Sequence, residues 1–359
     1  MNLRQRLFAG FPLFLVLQLL IPINFEAASA AVTSAPSISS VTGGNNYLEV
    51  NFSPATGATN YDYSTDGGIT WTTRNPAGTW SPLTIHGVTN GTAYSVKLRG
   101  RDSSGVGTAS GAMTGTPTNR SAISAGEGFL QGKFVEVGVR ANGAFGSTGP
   151  LPSGFHSNSG SCLGFRVDRQ KNGWGAVTGS SPNFTNIDDG DYFCPGTQYE
   201  GWALKVGSNA TDFNSHAATA ISGTVSNLVL SDTEQKVNWN SASARYGISI
   251  SQTSIVPTDG QSLYVDVTLT NTTASAINDI YYLRGFDPDN ATGTTTGVTT
   301  ATSYNTITSR GGTGVSAEVK ATFDSGAQVM LRSTDDRARA AAGSTLSCCV
   351  PTDAEPVTV

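Results

Sequence analysis

Carboxylates are scarce in this sequence, so the places where they gather stand out. Two clusters do so: Asp188-Asp189-Gly190-Asp191 and Asp287-Pro288-Asp289-Asn290. Calcium takes roughly six to eight oxygens from carboxylates, amides and carbonyls gathered on loops. The second cluster follows a strand-like run and leads into a Gly/Thr-rich loop, as a calcium loop would. Neither has EF-hand spacing, and Asp and Asn also suit solvated turns. Asp287, Asp289, Asn290, Asp188, Asp189 and Asp191 are therefore candidate calcium ligands, with ordinary turn chemistry as the competing reading.

Glycoside hydrolysis needs two carboxylates facing one cleft about 5–9.5 Å apart. Glu136, Glu200 and the clustered Asp residues supply the groups. Glu136 lies in a Val-rich run, where it is either a buried acid of raised pKa or a solvent-facing strand residue. A hydrolytic triad has less support. His86, His156 and His216 are the only histidines, and no G-x-S-x-G elbow surrounds a serine. His86 precedes a turn and reads as exposed and inert. His156 sits among aromatics and glycines and is the best placed of the three for binding. Trp174, Tyr192, Tyr199 and Trp202, with Glu200 and His156, complete a candidate ligand-binding set. Aromatic rings stack on the apolar faces of sugars while carboxylates and amides meet the hydroxyls. Core filling beneath long loops is the competing use of the same rings. No phosphate loop or dinucleotide fingerprint occurs, and no Cys/His spacing suits zinc.

The elements that must position these residues follow from composition. Only 13% of the 359 residues are Asp, Glu, Lys or Arg, while 42 are glycine. An average domain is about 25% charged, and long surface helices depend on those charges. Thr, Ser, Asn and Gly in their place indicate many short strands and tight turns. Residues 1–30 read as a secretory signal peptide. Arg4 and Arg6 precede the apolar stretch Leu13 to Ile21, and Ala28-Ser29-Ala30 is an A-x-A cleavage site. Its removal takes the 21 basic and 26 acidic residues to 19 and 25, a net charge of about −6. No later apolar stretch is long enough to span a membrane, and no Lys/Arg cluster suits nucleic acid or anionic lipid. An oxidising compartment permits disulfides. Cys162 and Cys194 are the natural pair, closing a loop of about thirty residues for ~3–4 kcal/mol. Cys348 and Cys349 are adjacent, and pair with each other, with the first two, or with another chain.

Residues 33–118 show period-two alternation between turn signals. Leu48, Val50 and Phe52 alternate with Tyr47, Glu49 and Asn51; Tyr94, Val96 and Leu98 alternate with Ser95, Lys97 and Arg99. With Tyr61-Asp62-Tyr63-Ser64-Thr65-Asp66-Gly67-Gly68, Trp71 and Thr89-Asn90-Gly91-Thr92-Ala93-Tyr94, this segment resembles a bacterial extracellular fibronectin type III domain. The resemblance implies an immunoglobulin-like sandwich used as a spacer or adhesion module. It also implies that Tyr94 is a tyrosine corner whose hydroxyl ties back to upstream backbone. Phe52 stands where the family usually has a core tryptophan.

Beyond the polar linker Thr118-Asn119-Arg120-Ser121, Phe134 to Val139 reads as a strand. A Gly- and aromatic-rich stretch follows from Gly143 to Trp202, expected as irregular loops stapled by the disulfide. Alternation then returns at Val225–Leu230, Lys236–Trp239, Tyr246–Ser251, Leu263–Asn271, Ile280–Phe286, Val315–Phe323 and Gln328–Arg332, with one helical turn expected over Ala338–Ala342. The 143–202 pattern, with Tyr281-Tyr282-Leu283-Arg284 before the second Asp cluster, is similar to a module of uncharacterised exported bacterial proteins. That resemblance implies one unit and brings no activity. The chain is thus expected to be all-β. A signal peptide (1–30) precedes a fibronectin type III domain (31–118), a larger antiparallel β-sandwich with long loops (119–350) and a tail or linker (351–359). The expected function is that of a secreted or cell-surface structural or adhesion protein, non-enzymatic, with an extracellular glycan or another surface protein as partner. A carbohydrate-binding accessory protein or an extracellular polysaccharide hydrolase is the alternative, and calcium is the one cofactor the residues suggest.

Overall fold

The computed structural model of the protein describes residues 31–156, 162–171, 173–174, 190–194, 199–287, 290–291, 299–300, 302–323 and 328–342. Among them no α-helix occurs. The alternation of the first hundred residues becomes eight strands. These are β1 (Ser37–Gly44), β2 (Tyr47–Ser53), β3 (Asn60–Ser64), β4 (Thr72–Thr73), β5 (Leu83–His86), β6 (Tyr94–Asp102), β7 (Gly105–Ala109) and β8 (Met113–Gly115). One sheet runs β1-β2-β5; the other runs β4-β3-β6-β7, with β8 also on β6. Leu48, Val50 and Phe52 from the first sheet meet Tyr61, Val96 and Leu98 from the second in one core. Phe52 packs edge-to-face on Tyr61 at 4.7 Å, so the aromatic substitution fills its place. The Tyr94 hydroxyl accepts the Thr89 N–H at 3.0 Å, the tie expected of a tyrosine corner. This is a fibronectin type III-like β-sandwich.

The remainder begins with β9 (Ala122–Ser124), β10 (Glu127–Gln131), β11 (Val135–Val139) and β12 (Phe165–Val167). Next come β13 (Tyr199–Val206), β14 (Asp212–Ser215), β15 (Gly223–Leu230), β16 (Glu234–Ser241), β17 (Ile248–Pro257), β18 (Tyr264–Asn271) and β19 (Ile280–Asp287). The last are β20 (Asn290–Ala291), β21 (Thr299–Thr300), β22 (Thr302–Gly312), β23 (Val315–Phe323) and β24 (Gln328–Ser333). All pair antiparallel, in the orders β12-β11-β10-β9, β14-β13-β19, β15-β16-β17-β18, β20-β21 and β22-β23-β24. The β15–β18 sheet forms one layer facing two others. Val237 and Val256 bury against Leu130, Val135 and Val137 of the β9–β12 sheet. Trp239, Ile248 and Ile250 bury against Trp202, Leu204 and Val206 of the β13 sheet.

All seven runs of alternation are strands. The Gly- and aromatic-rich stretch also contributes β12 and the start of β13, which its composition hid. The disulfide joins Cys162 to Cys194 across 32 residues. The helical turn expected over Ala338–Ala342 is absent. Ala338 closes a turn onto Asp335, and the Ala340 N–H donates to the Arg310 carbonyl, so the segment extends along β22. The Thr118–Ser121 linker is packed rather than loose. Arg120 Nε donates to the Gly43 carbonyl at 2.5 Å, and Asn119 donates to Gln235 at 2.5 Å.

Candidate functional site

A dense polar cluster lies where the first sandwich meets β10 and β11. Strand alternation sets it up. On β2, Leu48, Val50 and Phe52 take the core face, which turns Tyr47 and Glu49 outward to the second unit. On the far side, antiparallel pairing puts Gln131 of β10 opposite Glu136 of β11, and Glu136 opposite Arg166 of β12. Every residue of β11 is buried, Glu136 included. The Gln131 side-chain amide donates to Glu136 Oε1 at 2.8 Å and to the Gly154 carbonyl at 2.8 Å, and lies 3.2 Å from the Tyr47 hydroxyl.

His156 closes the cluster. Its backbone N–H donates to Glu136 Oε2 at 2.7 Å, and its Nδ1 lies 2.8 Å from Glu136 Oε1. The other ring nitrogen, Nε2, faces Glu49 Oε2 of the first sandwich at 3.3 Å. The imidazole stacks on Trp174, with centroids 5.0 Å apart and planes 11° off parallel. The Arg166 guanidinium also lies over the Trp174 ring, 5.8 Å from its centroid. Burial opposes a charge on the ring, but Glu136 and Glu49 together outweigh it and lift the His156 pKa to about 9. Burial, then the same two carboxylates, raise the Tyr47 phenol well above its ordinary value, so it stays neutral. At neutral pH the site is an imidazolium clamped between two carboxylates. A histidine already protonated there is not a general base.

Glu200, the other sequence candidate for acid chemistry, is used elsewhere. It lies on β13, and its Oε1 accepts Arg284 Nε of β19 at 2.8 Å while its Oε2 accepts the Phe145 N–H at 2.5 Å. Arg284 also donates to Gln252 Oε1 at 2.8 Å and lies over the Phe145 ring at 4.2 Å. Burial raises the Glu200 pKa against the pull of Arg284. Burial likewise works against the charge on Arg284, and Glu200 and Tyr282 overcome it, so its pKa is raised. The pair is a buried ion pair between neighbouring strands.

The structure brings His156 and Trp174 together and sets Glu200 and Trp202 two residues apart on β13. Tyr192 is buried in the core with Phe165 and Phe193, and Trp202 stacks on Tyr282 with centroids 6.0 Å apart. Asp191 is buried, and its two oxygens accept the N–H groups of Gly164, Phe165, Phe193 and Cys194 at 2.7–3.0 Å, which ties down the disulfide loop. Asp188, Asp189, Asp289, Cys348 and Cys349 lie outside the described residues, as do the side chains of Tyr199, Asp287 and Asn290. Among the described residues no three His, Cys, Asp or Glu side chains gather as a metal site.

His86 departs from its expectation. Its ring is wedged between Tyr47 and Phe134, at 6.2 and 5.0 Å, rather than exposed. Burial, helped by Lys133, lowers its pKa to about 4. Sequence reasoning also missed Tyr47, Glu49, Gln131 and Arg166. The one available signal was the polar, aromatic outer face of β2, which looks like any solvent-facing strand.

No known family profile matches the chain, and no curated protein does. Among solved structures, one described as FN3tt mut aligns at 16% identity over 24% of this chain and 97% of its own, with a TM-score of 0.18. The FN1–FN3 domains of chicken CNTN1 align at 8% identity over 84% of this chain and 99% of theirs, with a TM-score of 0.19. At such scores the strand order above, not these likenesses, defines the fold.

Proposed function

We propose that the chain is an extracellular structural or adhesion protein. In this reading the fibronectin type III-like sandwich is a fixed mount for the larger β-sandwich unit. The observation that carries it is the clamp of His156 between Glu49 and Glu136. A buried cation shared by carboxylates from both units penalises their separation, because parting them leaves charges desolvated and unpaired. Ordinary spacer modules meet through small polar contacts that permit relative motion. The Cys162–Cys194 disulfide fits a secreted or surface location. Calorimetry of the full chain tests the mount: one cooperative transition is expected, splitting into two in Glu49→Gln/His156→Gln. Two transitions in the unaltered chain would reject it, and sugar release from any polysaccharide would replace it with the hydrolase alternative.

A further inference from the structure

An edge strand presents a row of unpaired backbone N–H and C=O groups, and proteins that must stay apart blunt such edges. The described edges of this molecule are blunted, with one exception. Register shifts break β1 between Ile38 and Ser40 and interrupt β22 in two places. β15 has a shift between Ser226 and Val229, with Asn227 at a φ of 53°. β19 turns the charged Arg284 inward onto Glu200, and β24 exposes Arg332. The other edges, β5, β7, β9, β12 and β14 among them, are no more than five residues long.

β18 is the exception. It pairs with β17 in unbroken register from Tyr264 to Asn271, and among the described residues no strand pairs with its other side. Its eight residues include no proline, lysine or arginine and a single charge, Asp266. Every second residue of such a strand points its N–H and C=O groups away from the paired neighbour. The side chains are unfinished too. Val265, Val267 and Leu269 pack toward the core yet are only half-buried, and Tyr264 is 54% exposed on the outer face. One more strand against this edge would satisfy the backbone and cover the flanks of all three.

We propose that the added strand is β18 of a second copy of this chain, running antiparallel, so that two four-stranded sheets join into one. The strand is complementary to itself in one register. Directly opposite residues of an antiparallel pair share a face, so core-facing positions must meet core-facing positions. With Val267 on the two-fold axis it meets its own copy, Val265 meets Leu269, Asp266 meets Thr268 and Tyr264 meets Thr270. Apolar side chains then oppose apolar ones, and the two carboxylates lie diagonally rather than face to face. Sliding two residues one way sets Asp266 against Asp266, and sliding the other way sets Val265 against Asn271. Pairing about a two-fold axis uses the same edge on both copies, so it closes at a dimer.

Sedimentation velocity of the full chain over about 1–500 μM tests the pairing, with each variant's melting midpoint checked against the wild type. The wild type is expected to pass from monomer to dimer as concentration rises. Thr268→Asp sets a carboxylate opposite Asp266 at both symmetric contacts and should weaken the dimer about tenfold. Asp266→Lys/Thr268→Asp turns both clashes into opposite-charge pairs and should restore association. Within one chain residues 266 and 268 stand opposite Thr253 and Ser251, so neither change meets a charge on β17. A wild type that stays monomeric throughout, or that grows beyond two copies, would overturn the proposal. So would association that Thr268→Asp leaves unchanged, or a double variant no tighter than Thr268→Asp. Its failure leaves the mount reading intact, since that is decided by the number of unfolding transitions within one chain.

Discussion

The His156 clamp makes a prediction whose sign and size both follow from geometry. The imidazole faces Glu136 and Glu49, with Tyr47 and Arg166 around them and Arg120 at the neighbouring linker. Its pKa rises from 6.5 in the unfolded chain to about 9 in the folded one. Each tenfold change in proton affinity corresponds to about 1.4 kcal/mol, so the clamp contributes about 3 kcal/mol. A raised folded-state pKa means that this stability is fully present below pH 6.5 and is lost as pH rises through about 9. The phenol of Tyr47, raised by burial and the same carboxylates, ionises only above that window. Urea unfolding of the disulfide-intact chain should be followed from pH 6 to 10 for the wild type and His156→Gln. Glutamine retains a donor for Glu136 but cannot carry the charge. The expected result is a gap of about 3 kcal/mol at pH 6 that closes toward pH 10, because only the wild type loses stability through the titration of residue 156. Lysines and tyrosines elsewhere titrate alike in both proteins and cancel. A gap that stays constant across the range would refute the reasoning, since it would show that His156 packs without exchanging charge with its neighbours.

Four further outcomes follow. His86 has the opposite shift: its stability contribution is present above pH 6.5 and lost as pH falls through about 4, so in urea unfolding carried from neutral pH down to about pH 3 His86→Gln should flatten the acid limb by about 3 kcal/mol. Replacing Cys162 and Cys194 by serine should cost about 2–4 kcal/mol in urea unfolding, by releasing the loop they close. Arg284→Met should cost about 3–5 kcal/mol by leaving Glu200 buried and unpaired, and the double variant Glu200→Gln/Arg284→Met should recover most of it in a double-mutant cycle. Gly173→Ala should destabilise by about 1–3 kcal/mol in the same assay. Residue 173 has φ of 104°, and an added Cβ would stand 2.0 Å from Thr84 Oγ1.

What the sequence conceals is contact between units, and the reason lies in how alternation is read. Period two separates two faces of a strand but says nothing of what covers the second. On β18, Val265, Val267 and Leu269 point inward and Asp266 and Thr268 outward, and the burial follows the pattern because that outer face meets water. On β11, Val135, Val137 and Val139 point inward too, yet Glu136 and Gly138 are equally buried. Glu136 is covered by His156, twenty residues along the chain, and Gly138 approaches Leu163, where a Cβ would stand 2.3 Å from its carbonyl oxygen. The same holds for Tyr47 and Glu49 on β2, whose partners lie 84 and 107 residues away. Strands of low apolar content are hidden for a different reason. β22 is mostly Thr, Ser, Asn and Gly, with only Tyr304 and Ile307 apolar, and shows no alternation of its own, but it pairs along its length with the alternating β23, which supplies the register that its own side chains do not. A buried carboxylate in an otherwise apolar strand is therefore the one local sign of such a junction. A carboxylate survives burial only if donors or a cation are brought to it: four backbone N–H groups meet Asp191, Arg284 meets Glu200, and Gln131 and His156 meet Glu136, none of them adjacent in sequence to the carboxylate they satisfy.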